Sequence, residues 1–108
     1  MKAIQINEFG GPEVMKYVEV VDPTPGNGEA LVKIQAAGVN YTDVYGREGI
    51  NPGPPLPRTI GVEGAGIVEA IGPDVTEVNV GDAVTYCTSQ GSYAEFAIVP
   101  SWRLIRLP

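Results

Sequence analysis

The stretch GVEGAGIVEAIG, residues 61 to 72, decides the fold. Its early glycines, Gly61, Gly64 and Gly66, stand in the order G-x-x-G-x-G, the reverse of the dinucleotide-binding loop, and no helical pattern follows them. The apolar positions that run on through Ile67, Val68 and Ile71 predict a strand instead. The glycines then mark places where the backbone bends or another segment packs closely against it. Just downstream, VGDAV (Val80 to Val84) reads as a turn entering a further strand, with Gly81 and Asp82 as turn formers.

The same grammar extends in both directions. The chain has 14 glycines and 10 prolines, placed between short Val-, Ile- and Ala-rich segments, which is the spacing of many short strands and turns. Strands are expected near Lys2 to Asn7, Tyr17 to Val21, Glu29 to Val39, Ile60 to Ile71, Ala83 to Cys87, Tyr93 to Val99 and Arg103 to Ile105. Glycine wealth in such a chain fits the bulges and corners of a small, strongly bent sheet, so the fold class is mainly β, a partly open β-barrel with one or two short helices. The segment NYTDVYGR, Asn40 to Arg47, departs from the strand pattern. Asp43 stands four residues before Arg47, so a short helical turn carrying an exposed ion pair is expected there. GINPGPPLPR, Gly49 to Arg58, has four prolines and two glycines and reads as a stiff, solvent-facing loop.

Composition narrows the chemistry. At 108 residues the chain is one domain, with room for a single apolar core. A net charge of −6 with seven scattered basic residues argues against a nucleic-acid partner. No apolar run approaches the roughly 18 to 20 residues of a membrane span, and the opening MKAIQINEFG turns polar after a few residues without a signal-peptide core. A cytoplasmic protein with no membrane partner is expected. There is no histidine and one cysteine, which removes Ser/His and Cys/His nucleophile pairs and the usual metal ligands. Cys87, in the apolar run from Ala83, is expected to be a small buried hydrophobe.

Four segments in register carry a resemblance: GVNYTDVYGREG (Gly38 to Gly49), PLPRTIGVEGAGIVEAIG (Pro55 to Gly72), VGDAV (Val80 to Val84) and GSYAEFAIVP (Gly91 to Pro100). Together with the opening MKAIQINEFGGPEVM they resemble the medium-chain dehydrogenase/reductase superfamily, in its quinone oxidoreductase or ζ-crystallin-like branch. The resemblance implies a GroES-like substrate-side domain over residues 1–108, followed in the intact enzyme by a Rossmann domain that binds NADPH. The final Arg106-Leu107-Pro108 reads as a cut at a linker, and the chain alone is expected to be inactive. In zinc-dependent members the equivalents of Asn40 and Val62 are a cysteine and a histidine that hold the catalytic metal. Here neither ligand is present, nor is the cluster of four cysteines of the structural zinc lobe, so no metal site is expected.

What remains by this resemblance is hydride transfer from NADPH to a quinone without zinc. An enoyl-thioester reductase of the same superfamily is the alternative, and a stand-alone GroES-like binding module is a third reading. The family positions assign Asn40 and Tyr45 as the catalytic pair, with Asn40, Tyr45 and Arg47 at the cofactor and Tyr41 and Tyr45 at the substrate. Asn40 would donate to a developing oxyanion and Tyr45 would line a flat apolar slot. Read from residues alone, Asn40 is equally a strand-end turn former, Tyr41 and Tyr45 are ordinary aromatics, Asp43 and Arg47 are an exposed helix pair, and Glu63 is a structural carboxylate paired with backbone or a basic residue. The face that would meet the second domain is expected to be apolar, favouring self-association of these residues on their own, and the enzyme is expected to be a homodimer.

Overall fold

The computed structural model describes residues 1–108. Eight strands and one α-helix form two antiparallel sheets that do not close into a barrel. The smaller sheet has the order β2-β1-β4, from β1 (Lys2–Ile6), β2 (Met15–Glu19) and β4 (Arg58–Thr59). The larger has the order β7-β3-β5-β6-β8, from β3 (Glu29–Ala37), β5 (Gly64–Ile71), β6 (Ala83–Tyr86), β7 (Phe96–Pro100) and β8 (Ile105–Arg106). The partly open, mainly β architecture expected from the glycine and proline spacing is the one observed.

The decisive stretch behaves in two ways. Its second half is strand β5, central in the larger sheet, where Gly64, Gly66 and Val68 turn inward. Gly66 has no alternative, because a Cβ there would drive into the Lys33 main-chain carbonyl of β3. The β3–β5 pairing shifts register twice, leaving Glu69 extra on β5 and Gln35 extra on β3, and these bulges bend the sheet as its glycine content predicts. The first half is not strand. The expected run from Ile60 to Ile71 is interrupted at Gly61, whose φ of +94° lies in the left-handed region. Arg58–Thr59 therefore pairs with β1 in one sheet and Gly64 onward with β3 in the other.

Other expectations are corrected in detail. The strand placed at Tyr93 to Val99 begins only at Phe96. Residues 93–95 cross between the sheets instead: Ile4 N–H donates to the Tyr93 carbonyl at 2.8 Å and Ile34 N–H to the Glu95 carbonyl at 2.8 Å. The strand placed at Arg103 to Ile105 is a 3-10 turn, Ser101–Arg103, followed by β8. Cys87 is exposed, not buried. Alternation along β6 directs Val84 and Tyr86 inward and so turns position 87 out.

One apolar cluster, including Ala30, Val32, Val68, Val84 and Val99, fills the larger sheet's inner face, and a smaller one of Ile6, Val14 and Ile60 lies beneath the smaller sheet. No helix is long and apolar enough to cross a membrane.

Candidate functional site

The helix α1 (Tyr41–Glu48) carries the candidate residues. Asn40 is its N-cap in extended conformation, and Gly49 ends it at φ +85°, where a side chain would be strained. Asp43, in the first turn, turns back so that its Oδ2 accepts the Asn40 main-chain N–H at 3.0 Å, while the Asp43 N–H donates to the Asn40 carbonyl at 3.0 Å. A carboxylate in the first turn also faces the positive end of the helix dipole.

The expected exposed ion pair between Asp43 and Arg47 does not form. Asp43 is only 6% exposed, and the Tyr93 hydroxyl donates to its Oδ2 at 2.6 Å, while its Oδ1 is buried with no hydrogen-bond partner. Arg47 turns away and donates from Nε to the Gly10 carbonyl at 3.1 Å, and Gly10 N–H donates to the Arg47 carbonyl at 3.1 Å. Burial pushes the Tyr93 hydroxyl above the ordinary phenol range, and the adjacent Asp43 carboxylate pushes it in the same direction.

The loop after α1 also differs from its reading as purely solvent-facing. Its last residue, Arg58, is 6% exposed and has no carboxylate partner. It donates to the Pro54 carbonyl at 3.0 Å and the Gly46 carbonyl at 2.8 Å, and its guanidinium lies 5.2 Å from the centre of the Phe9 ring. The Asn51 amide donates to the Thr42 hydroxyl at 3.0 Å. Proline stiffness and these polar pins together fold residues 49–58 back on the helix.

Tyr41 (82% exposed) and Tyr45 (44% exposed) are one helical turn apart on the same face, close to the half-buried Asn40. Val39 and Ile50 at the two ends of the helix are exposed as well. Tyr41 and Tyr45 thus share one face of α1, Asn40 stands at its N-terminal entry, and Arg47 has its Nε engaged by the Gly10 carbonyl. Sequence reasoning missed Tyr93 and Arg58. Arg58 was masked by its prolines, and nothing in GSYAEF indicates a partner 50 residues earlier.

The Gly38 N–H donates to the Glu63 carbonyl at 2.9 Å, so the chain entering α1 runs beside residues 62 and 63. Glu63 is not paired by a side-chain hydrogen bond or a basic residue as expected. Its carboxylate lies over Gly38, where a Cβ would strike it, and it lines a concavity of about 220 Å³ with Ala36, Gly64 and Thr85. The donors at this place are the Asn40 amide and the Glu63 carboxylate; Val62 has none, and no three His, Cys, Asp or Glu side chains gather anywhere in the chain. That set does not fit a catalytic zinc, which takes three protein ligands. For NADPH the fit is to one end. An amide and exposed aromatic rings suit the nicotinamide, but no glycine-rich turn into a helix is present for a pyrophosphate.

With two sheets, a single helix beside residues 62–63 and the glycine-bent central strand in place, the class can be stated. Residues 26–108 match the alcohol dehydrogenase GroES-like domain, and the chain belongs to that family. Its quinone oxidoreductase resemblance is borne out as well. The chain is 44% identical over 108 residues to the quinone oxidoreductase of Pseudomonas aeruginosa, covering 99% of this chain and 33% of that protein. Among solved structures it matches the quinone oxidoreductase of Pseudomonas syringae with a TM-score of 0.96 and 44% identity, over 99% of this chain and 33% of that one. It matches Escherichia coli quinone oxidoreductase complexed with NADPH with a TM-score of 0.95 and 35% identity, over 100% of this chain and 33% of that one. The chain spans about a third of the length of the curated relatives it matches.

Proposed function

We propose that this chain is the substrate-side domain of a cytoplasmic, homodimeric NADPH:quinone oxidoreductase that works without zinc. The observation that carries the reading is the 44% identity to a quinone oxidoreductase along 99% of the chain. A Rossmann domain following residue 108 holds the adenosine and pyrophosphate of NADPH, so residues 1–108 alone are inactive. The donor set at Asn40, Val62 and Glu63 supports chemistry without a metal.

The bound cofactor supplies the hydride. A quinone needs little Lewis-acid help to accept it, because its product ring gains aromaticity. Asn40 donates a hydrogen bond to the quinone oxygen on which negative charge grows, and solvent supplies the proton that completes the hydroquinone. Tyr41 and Tyr45 form the flat apolar wall against which the ring stacks. Arg47, tied to Gly10, holds the far side of α1 and serves the cofactor cleft through that placement.

Steady-state kinetics on the full-length enzyme test this reading with a panel of quinones and 2-enoyl thioesters. NADPH oxidation dependent on quinone is expected, and turnover of thioesters alone would overturn it. Asn40→Ala should cost about 2 kcal/mol of transition-state stabilisation, the low end for an oxyanion donor. Tyr45→Ala should raise KM while Tyr45→Phe stays close to wild type. Calorimetry on residues 1–108 should find NADPH binding weaker than micromolar, about −8 kcal/mol.

A further inference from the structure

Asp43 is the one acidic side chain among the buried residues, and it has no ion-pair partner. A single oxygen, Oδ2, does its structural work, accepting both the Asn40 N–H at 3.0 Å and the Tyr93 hydroxyl at 2.6 Å. Besides the main-chain bond from the Asp43 N–H to the Asn40 carbonyl at 3.0 Å, the entry of α1 is tied by this one carboxylate oxygen, and the group that fixes that oxygen lies outside the helix. Tyr93 is itself held on both sides of its main chain. Its N–H donates to the Ile60 carbonyl at 3.0 Å, and its carbonyl accepts the Ile4 N–H at 2.8 Å. The ring passes Gly61 so closely that a Cβ there would strike it, and Gly61 already requires φ +94°. A short charge-assisted bond from so constrained a phenol transmits the position of the sheets to the helix mouth.

We propose that Tyr93 is a positioning residue for the acceptor end of the site: through Asp43 it sets where the Asn40 side chain is presented to the quinone oxygen. This rests on the function proposed above for Asn40. A purely structural tyrosine would stabilise the domain without distinguishing Asn40 from the rest of the chain. Tyr86 provides the comparison, since its hydroxyl is also buried but has no partner.

The test uses the full-length enzyme, with Tyr93→Phe and Tyr86→Phe, each removing one buried hydroxyl and keeping the ring. Amide hydrogen exchange read by mass spectrometry reports the link without any cofactor present. Tyr93→Phe should accelerate exchange at the Asn40 amide about tenfold, the worth of one hydrogen bond to a charged group, and accelerate residues 64–71 clearly less, by no more than the global loss of stability. In kinetics it should lower kcat for a quinone by a similar factor with little change in KM. Tyr86→Phe should alter neither. Wild-type exchange at Asn40, or acceleration spread equally through residues 64–71, overturns the positioning role. So does faster exchange at Asn40 with an unchanged kcat. If the wild-type enzyme reduces no quinone, the proposed function falls, while the exchange result still decides whether Tyr93 holds Asn40.

Discussion

The larger sheet and the segment from Gly38 to Arg58 are held by opposite means. Between β3, β5, β6 and β7 the contacts are apolar and closed, with Val32, Val68, Val84 and Val99 almost wholly out of water. Around α1 they are few and directional: Asp43 to Tyr93, Arg47 to Gly10, Arg58 to two main-chain carbonyls. Apolar burial is non-directional and sums over many atoms, so it resists unfolding but tolerates small shifts. A hydrogen bond from a fixed donor does the reverse, contributing modestly to stability while fixing a position. The surface that carries the candidate site is thus set by geometry more than by bulk stability.

The largest effect is expected where the apolar side of the comparison is broken. Val68→Ala removes two buried carbons from a position 1% exposed, in the middle of β5. Transfer and cavity terms together should cost about 2 to 3 kcal/mol of global stability, measured by urea unfolding. A loss below about 0.5 kcal/mol would mean that the sheet interior repacks freely, against the close packing expected of a core. Arg58→Met strikes the other side. It leaves the Pro54 and Gly46 carbonyls without their donor but relieves the burial of an unpaired cation, so the net global cost should be near 1 kcal/mol. Its signature is local. Proteolytic cleavage within residues 49–57 should accelerate in Arg58→Met well beyond what Val68→Ala produces, and equal acceleration in the two variants would erase the distinction between the regions.

The same contrast separates what was legible in the sequence from what was not. Strands announce themselves through alternation and through glycines that only a close neighbour explains, so β1, β3, β5 and β6 lie near where residue pattern puts them. Rejecting a phosphate loop at Gly61 to Gly66 rested on that pattern too. Gly61 was harder, because the residue string does not say that one glycine takes φ +94° and sends the chain from one sheet to the other. Cys87 was misplaced by treating an apolar run as uniformly buried, when period two alone assigns position 87 outward. At the site, Asn40, Tyr41 and Tyr45 came from family resemblance; Asn40 caps α1, and Tyr41 and Tyr45 share one of its faces. The polar pins were invisible, since Asp43 to Tyr93 and Arg47 to Gly10 are pairings at long sequence separation that no local pattern encodes. The i,i+4 rule favoured Asp43 with Arg47 on an exposed face, and tertiary burial of Asp43 overrode it.

The smallest effect sharpens the comparison, because each region buries one phenol. Tyr86 belongs to the sheet interior, and burial alone pushes its hydroxyl up to about 12. Tyr93 belongs to the α1 pin; burial raises it first and the Asp43 carboxylate adds to the shift. In both, the folded protein holds the proton more tightly than the unfolded chain, whose tyrosines release it near the ordinary value of about 10. Above that value the unfolded state binds fewer protons than the native state, so stability is complete below pH about 10 and declines as pH rises through the folded values. Unfolding midpoints in urea at successive pH values should therefore fall from about pH 10 upward. Tyr93→Phe and Tyr86→Phe should each make the decline shallower, by up to one proton. The two should differ there: Tyr93→Phe breaks a bond to a buried carboxylate and costs about 1 kcal/mol at pH 7, whereas Tyr86→Phe removes an unpartnered hydroxyl and costs almost nothing or stabilises slightly. Identical behaviour of the two variants at pH 7 would mean that the Tyr93 to Asp43 bond contributes no more than an unpaired hydroxyl, and the directional half of the comparison would fail at its central contact.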